Sequence, residues 1–529
     1  MSDTRQKHII KSTIVISGAT LISRILGFIR DMIIAGFFGA GMVVDAFIVA
    51  FRLPNLLRRL FGEGSLSASF IPVFTEYLEK KGPHDAWELA SNILTLFSII
   101  LILTSAAGVV GAPLLVRILA PGFHSSEVKL RLTILLTRIL FPYLFLIGLV
   151  ALSMGILNSL RHFATPAISP ALLNVGIISG ALLISPHLKE PIIGIALGVL
   201  IGGVCQVLIQ IPVLIKKGVS LYPNFSLIHP GTRRIGRLMI PAILGMGVTQ
   251  INILIDTLLA SFLPEGSISY LYYSNRLIQF PLALFGISLG TAIFPTLSRQ
   301  AAQNNLEELT DTYSFGMRMV FFITLPAAIG LAVFGHPIIK ILFERGEFGA
   351  HATSATAQAL IAYCAGLWAY AGIKITVPVF YSLQDTATPV KIAIIAMITN
   401  IVLNIVLMIP LKHAGLALAT SLSATINLFI LVAILRKRLT HIEIRKIIVS
   451  SIKTLINSSI MGCVCVLFIQ KAVCQATQGT MTRALYLGTG IVGGIILFFL
   501  LSYISHSDEF MFFFTHMKEK FNKKKEGSL

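Results

Sequence analysis

Long apolar runs, interrupted at short intervals by glycine, proline or a charge, recur from one end of the chain to the other. Ile93–Ala112, Ile192–Ile215, Met319–Phe334, Ile392–Ile409 and Leu485–Leu501 each approach the ~20 residues that carry a helix across a bilayer. Counting weaker runs as well, the pattern predicts an all-α polytopic membrane protein of about fourteen helices. No connecting segment is large enough to fold as a soluble catalytic domain. The longest are 216–237, 299–318 and 336–353.

The pattern also repeats at a shift of roughly 220 residues, the internal symmetry from which many transporters are built. Ser159-Leu160 followed by Ala164-Thr165-Pro166 returns as Ser382-Leu383 followed by Ala387-Thr388-Pro389. Phe70-Ile71-Pro72-Val73-Phe74 returns as Ile293-Phe294-Pro295-Thr296-Leu297, and Arg52-Leu53 as Arg276-Leu277. Gly194-Ile195-Ala196-Leu197 with Gln206 returns as Gly415-Leu416-Ala417-Leu418 with Asn427. An even number of spans per unit makes the repeats parallel, giving two six-helix lobes beside a central cleft. The expected division is 1–222 for the N-lobe, 223–440 for the C-lobe, 441–505 for two extra helices and 506–529 for a basic, mobile tail.

Composition agrees: 55% of residues are hydrophobic and 12% charged, about half the charged fraction of a soluble domain. The net charge of +19 does not indicate nucleic acid, because it follows the positive-inside rule. Arg5, Lys7 and Lys11, then Lys216, Lys217, Arg233, Arg234 and Arg237, then Arg436, Lys437, Arg438, Arg445 and Lys446, and last Lys518, Lys520, Lys523, Lys524 and Lys525 fall in segments of one side. The opposite loops 36–44 and 263–267 carry no Lys or Arg, and 185–191 only Lys189. Both termini are therefore expected in the cytoplasm. The first run, interrupted by Arg24, is expected to stay as a helix rather than to be cleaved as a signal peptide. Cys205, Cys364, Cys463, Cys465 and Cys474 show neither disulfide nor zinc spacing.

The informative residues are ionisable groups inside apolar helices: Arg24, Arg30, Asp31, Asp45, Arg52, Arg58, Arg59, Arg138, Asp256, Arg276 and Lys374. A cation at a helix centre costs on the order of 2.5–3.5 kcal/mol on insertion scales, so such residues face a cavity or a partner. Arg24 and Asp31 share a helix face, as do Asp45, Arg52 and Arg59; Pro54 disturbs that stripe and offers Arg58 as the inward residue instead. Arg276 holds in the second repeat the place of Arg52 in the first. Arginine suits phosphate through paired, charge-assisted bonds, so the cleft is expected to bind a phosphate or pyrophosphate headgroup. Two alternatives stand beside this. Arg59, Arg138 and Lys374 can snorkel to an interface, and Arg24, Arg30 and Arg52 can pair with Asp31 and Asp45. Asp256 and Asp385 are the candidate coupling-cation site.

Gly488-x-Gly490-x-x-Gly493 matches the dinucleotide fingerprint but lies inside an apolar helix with no preceding strand. Small residues for close helix packing explain it better, as they do Gly194, Gly198 and Gly202. There is no Walker A loop, metalloprotease histidine pair or nucleophile elbow. No cofactor is expected, and energy must come from gradients, membrane potential or substrate supply.

Ser23-Arg24-Ile25-Leu26-Gly27-Phe28-Ile29-Arg30-Asp31, Phe38-Gly39-Ala40-Gly41, Asp45-Ala46-Phe47, Phe51-Arg52-Leu53-Pro54-Asn55-Leu56-Leu57-Arg58-Arg59 and Glu63-Gly64 closely resemble the MurJ/MviN family of lipid II flippases. Tyr272-Tyr273-Ser274-Asn275-Arg276 and Gln384-Asp385-Thr386-Ala387-Thr388-Pro389-Val390-Lys391 are similar to it too. One departure is Asn275, where some relatives are expected to carry an acidic residue. The resemblance implies a fourteen-helix member of the multidrug/oligosaccharidyl-lipid/polysaccharide exporter superfamily in the bacterial inner membrane. It would move lipid-linked peptidoglycan precursor from the cytoplasmic to the periplasmic leaflet by alternating access. By position it implies Arg24, Arg30, Asp45, Arg58 and Arg276 as cavity residues, with Arg52 as a basic position and Lys374 as a weaker one; Asp31 and Asn55 complete the candidate substrate-binding set. It further implies that the two extra helices cradle the polyprenyl tail, and that the partners are lipid II, membrane lipids and cell-wall synthesis proteins. Two rivals are another exporter of the superfamily and a membrane-embedded glycan polymerase, for which Glu344 and Glu347 are the candidate acid/base pair.

Overall fold

The structure, a computed structural model, describes residues 3–60, 65–226, 229–439, 442–472, 479–512 and 515. Glu63, Gly64, Cys474 and the basic residues from Lys518 onward lie outside the described residues, as do the side chains of Arg5, Lys7 and Lys11. Every extended element among the described residues is helical. In chain order these are α1 (Asp3–Phe38), α2 (Met42–Arg58), α3 (Leu66–Lys80), α4 (Pro83–Leu119), α5 (Glu127–Leu140), α6 (Tyr143–Ser159), α7 (Ala164–Ser179), α8 (Ile192–Leu208) and α9 (Ile211–Lys216). Then follow α10 (Pro230–Ala260), α11 (Ser267–Pro281), α12 (Ser288–Ala302), α13 (Leu306–Phe343), α14 (Ala350–Cys364), α15 (Leu367–Ser382), α16 (Ala387–Arg438), α17 (Ile444–Ala472) and α18 (Thr480–Ile504).

Among the described residues nine helical stretches are long and apolar enough to cross a membrane, and α14 with α15, bent by 42°, makes a tenth. The 52-residue α16 is two helices joined at Lys412 (φ 51°, ψ −131°). Together with α1, the broken pair α2–α3 and α10, the helix order follows the expected series of about fourteen. Serine and threonine are tolerated in these apolar spans because their hydroxyls bond back to the carbonyl one turn earlier, as Thr133 does to Lys129 (2.7 Å) and Thr324 to Val320 (2.7 Å).

The helices group into two compact units, Met1–Ser269 with Arg345–Phe348, and Tyr270–Glu344 with Gly349–Leu529. This division by packing falls one span later than the repeat boundary at 222/223, because α10 packs on α3 and α4. The core of the first unit gathers Phe70, Phe74, Leu89, Ile156 and Ile235. That of the second gathers Leu297, Tyr313, Phe380 and Leu428, beside a smaller cluster of Phe322, Phe334, Met461 and Phe498 that seats α17 and α18.

The repeat is visible in backbone detail at one corner of each unit. Leu160, Arg161 and His162 donate their N–H groups to Ile156 (3.0 Å), Asn158 (3.0 Å) and Leu157 (2.8 Å). Leu383, Gln384 and Asp385 donate to Val379 (3.0 Å), Tyr381 (3.0 Å) and Phe380 (2.9 Å). Arg161 and Gln384 are both left-handed, each with φ 59°. Glycines set the closest helix contact: a side chain on Gly198 would stand 2.5 Å from the Gly176 carbonyl oxygen, on the α7–α8 seam. In the Gly488–Gly493 motif only Gly490 serves packing, against Phe468 and Phe334; Gly488 and Gly493 face open space.

The tail is described only over its first residues and at 515. Residues 505–512 are docked: Glu509 takes Arg318 (3.3 Å), Phe512 meets the Phe315 ring edge-on (5.0 Å), and Asn457 donates to Ser505 (2.9 Å).

Candidate functional site

Two ends of the first unit differ in charge. One, the basic end, carries 80–83, 160–164, 216–226 and 229–237; the other, the Gly39 end, carries 39–41, 120–126, 185–191, 261–268 and 345–348. On α1, Arg30 donates to Asp31 through Nη2 (2.6 Å) and Nε (3.0 Å), and to Asn174 Oδ1 on α7 (3.0 Å). Asn174 in turn donates to the Ser23 carbonyl (3.1 Å). Asp31 is fully buried and Arg30 nearly so. The pairing alternative is therefore what the structure shows for Arg30 and Asp31: they lock α1 to α7. Arg24, although seven residues from Asp31, is exposed while Asp31 is buried with Arg30.

Asp45 is likewise corrected. It is 1% exposed. It accepts from Lys129 Nζ (2.8 Å), the Gly266 N–H (2.9 Å), the Ser269 N–H (3.0 Å) and the Ser269 hydroxyl (2.7 Å). A buried carboxylate persists only where donors and an opposite charge replace its hydration. Here those come from α5 and from the first turn of α11. Lys129, also buried, lies 4.1 Å from the centre of the Phe123 ring. Sequence reading missed Lys129. The available signal was its place on the stripe Lys129, Leu132, Thr133, Leu136, whose other members are all buried.

More contacts close the Gly39 end. The Met42 N–H donates to Glu265 Oε1 (2.6 Å), Gly122 to Ser261 Oγ (3.1 Å), and Glu347 to the Gly36 carbonyl (3.0 Å). Gly39 must be glycine: its φ is +69°, and a side chain there would stand 2.6 Å from the Glu347 carbonyl oxygen.

The remaining cations lie nearer the middle of the broken spans. Arg52 and Arg58 are half-buried on α2, and Arg59, beyond its last residue, is exposed. Asn55 Oδ1 accepts from Arg58 Nε (2.9 Å), fixing the guanidinium along its own helix six residues on from Arg52. In the second unit Arg276 is half-buried on α11, beside the fully buried Tyr273 and Ser274. Lys374 on α15 and Arg138 on α5 are exposed.

Asp256 and Asp385, the candidate cation ligands, have separate local partners. They belong to different compact units. Asp256 accepts from Asn252 (3.4 Å). Asp385 sits at the repeat corner, where it accepts from Arg438 (2.6 Å), the Thr388 N–H (2.9 Å) and the Thr388 hydroxyl (2.5 Å). Among the described residues no three or more His, Cys, Asp or Glu converge as metal ligands. The Thr388 bonds first, then Arg438, hold the Asp385 carboxyl below its ordinary value. A depressed carboxylate stabilises the fold above its unfolded pKa, and the contribution disappears as pH falls through the folded value. The thermal midpoint of Asp385→Asn should therefore lie below wild type at neutral pH, and the gap should narrow on acidification below about pH 4. A pH-independent gap would contradict this.

The chain's residues 34–487 match the family model described as lipid II flippase MurJ. Among curated relatives, the "Probable lipid II flippase MurJ" of Vibrio cholerae serotype O1 is 42% identical over 435 residues, covering 81% of this chain and 83% of the relative. The "Lipid II flippase MurJ" of Burkholderia cenocepacia is 39% identical over 436 residues, covering 82% and 84%. Among solved structures, a lipid II flippase MurJ in an inward closed conformation superposes with a TM-score of 0.79 at 29% identity, covering 94% of this chain and 99% of that one. An inward-facing multidrug transporter of the MATE family, at 15% identity and TM-score 0.67, covering 81% and 98%, shares the fold. Family model, relatives and structure agree across most of the sequence, and the chain belongs to the lipid II flippase MurJ family.

Proposed function

We propose that this protein flips lipid II, the lipid-linked peptidoglycan precursor, from the cytoplasmic to the periplasmic leaflet of the inner membrane, with its basic end in the cytoplasm. The observation that carries the reading is the presence of half-buried guanidinium groups, Arg52, Arg58 and Arg276, within apolar spans of a chain of this family. A phosphate-bearing headgroup is the ligand such groups suit, since each guanidinium offers a planar fork of donors to the anionic oxygens. Arg24, exposed on α1, is the remaining cation assigned to the headgroup. Arg30, Asp31 and Asp45 are assigned to holding helices in place, and Asn55 to orienting Arg58.

The lobes of the repeat are taken to alternate access, with the polyprenyl chain remaining in lipid. Resetting is assigned to the membrane potential, because one cationic charge crossing the full field is worth ~2.3 kcal/mol per 100 mV.

The test is a strain in which this chain is the sole flippase. On its depletion, intact precursor should collect in the cytoplasmic leaflet, and with the chain present an uncoupler should reproduce that accumulation. Normal periplasmic delivery after depletion would remove the function. Delivery indifferent to uncouplers would remove the coupling.

A further inference from the structure

Away from the cations assigned to the headgroup, the second unit holds a cavity of about 190 Å³ where the start of α17 meets the docked tail. Arg445, Lys446, Ser450 and Lys453 of α17 line one side, and Asp508 and Glu509 line the other. We propose that this cavity binds the phosphodiester headgroup of an anionic membrane phospholipid.

The charges are unequally committed. Glu509 takes Arg318 (3.3 Å) and the Ser507 hydroxyl (2.9 Å), Asp508 lies 3.7 Å from Arg318, and Glu443 takes Lys446 (2.5 Å). Arg445 and Lys453 form no ion pair among the described residues. Glu509 is thus engaged, Asp508 shares the same Arg318 from the exposed rim, and two cations line the cavity without an ion pair. That arrangement takes up an added anion.

Ser450 gives an independent sign. Other serines of α17 bond back one turn, Ser451 to Ile447 (2.7 Å), Ser458 to Thr454 (2.6 Å) and Ser459 to Leu455 (2.8 Å). The Ser450 hydroxyl is buried and has no partner. A buried hydroxyl left unbonded keeps its desolvation penalty, and an acceptor oxygen of a phosphodiester removes it.

The position along α17 favours a lipid over a soluble anion. Ile444–Gln470 is a membrane-length apolar helix, and eight residues separate Arg445 from Lys453, a rise of ~12 Å. The cavity therefore runs from the helix end toward the hydrocarbon, the depth at which basic pockets between helices hold anionic headgroups. Lys453 reaches the phosphate level by extending its stem along apolar surface.

The test uses the full chain purified in detergent and exposed to phosphatidylglycerol, phosphatidylethanolamine or soluble glycerol 3-phosphate, with retained ligand counted by native mass spectrometry. Phosphatidylglycerol should be retained preferentially. Joint Arg445→Gln and Lys453→Gln should lower its retention roughly tenfold or more, and Ser450→Ala should lower it less. Joint Arg436→Gln and Lys437→Gln, outside the cavity, should leave it unchanged. The charge-preserving pair Arg445→Lys and Lys453→Arg should keep binding, which separates lost charge from lost fold. Unchanged retention in the Gln pair, equal uptake of phosphatidylethanolamine, or equal binding of soluble glycerol 3-phosphate would each overturn the proposal.

Discussion

Asp45→Ala is expected to destabilise the protein by about 3–5 kcal/mol, because it leaves the buried Lys129 ammonium without its counter-charge. In the same stroke it removes the acceptor for the Gly266 N–H, the Ser269 N–H and the Ser269 hydroxyl. Lys129→Met should cost less, since Asp45 keeps the donors of Gly266 and Ser269. Combining Asp45→Asn with Lys129→Met should recover part of the loss of Lys129→Met, because no unpaired charge remains buried. Thermal unfolding of the purified proteins, followed by loss of monomeric elution, orders the four. If Asp45→Ala lay within about 1 kcal/mol of wild type, the pair would be an ordinary surface ion pair, contrary to its burial.

The second large effect is on transport. Arg52→Ala, Arg58→Ala and Arg276→Ala should each lower flipping by roughly tenfold to a hundredfold, the equivalent of one charge-assisted hydrogen bond of ~1.5–3 kcal/mol. All three proteins should remain folded in the membrane. Lysine in their place should restore only part of the activity, because a point charge cannot make the paired bonds of a guanidinium. Arg30→Ala should behave differently: its loss takes a charge partner from the buried Asp31 carboxylate, so the amount of folded protein should fall together with activity. Equal folded yield with normal flipping in all three of the first set would remove these residues from the headgroup site.

The contrast between Arg30 and Arg58 marks where sequence reading stops. Span positions, the helix series and the repeat are periodic, local properties, and the paired corners at Arg161 and Gln384 show the same hydrogen-bond pattern in both units. The ionisable residues were visible as chemical exceptions in apolar surroundings. The Arg30–Asp31 pairing was legible as an alternative between neighbours, but the long-range partners were not, because they join residues far apart in sequence. Asp45 meets Lys129 and Ser269, and Arg30 meets Asn174, through contacts that no helical period encodes. Only Lys129's place on a buried stripe hinted at its role. The same limit applies to α10, which the repeat assigns to the second lobe and packing assigns to the first unit. It applies also to the start of the tail, where Glu509 accepts from the distant Arg318. Asp385 shows the reverse case, a carboxylate that looked available for a cation and is held instead by Thr388 and Arg438.

The most direct measurement of the central claim places purified protein in sealed vesicles containing lipid II and follows how much precursor becomes reachable to an enzyme added on the opposite side. Wild-type protein should expose it well above protein-free vesicles, and the combined Arg52→Ala, Arg58→Ala and Arg276→Ala protein should fall to the protein-free level. Full exposure by that triple variant would contradict the account.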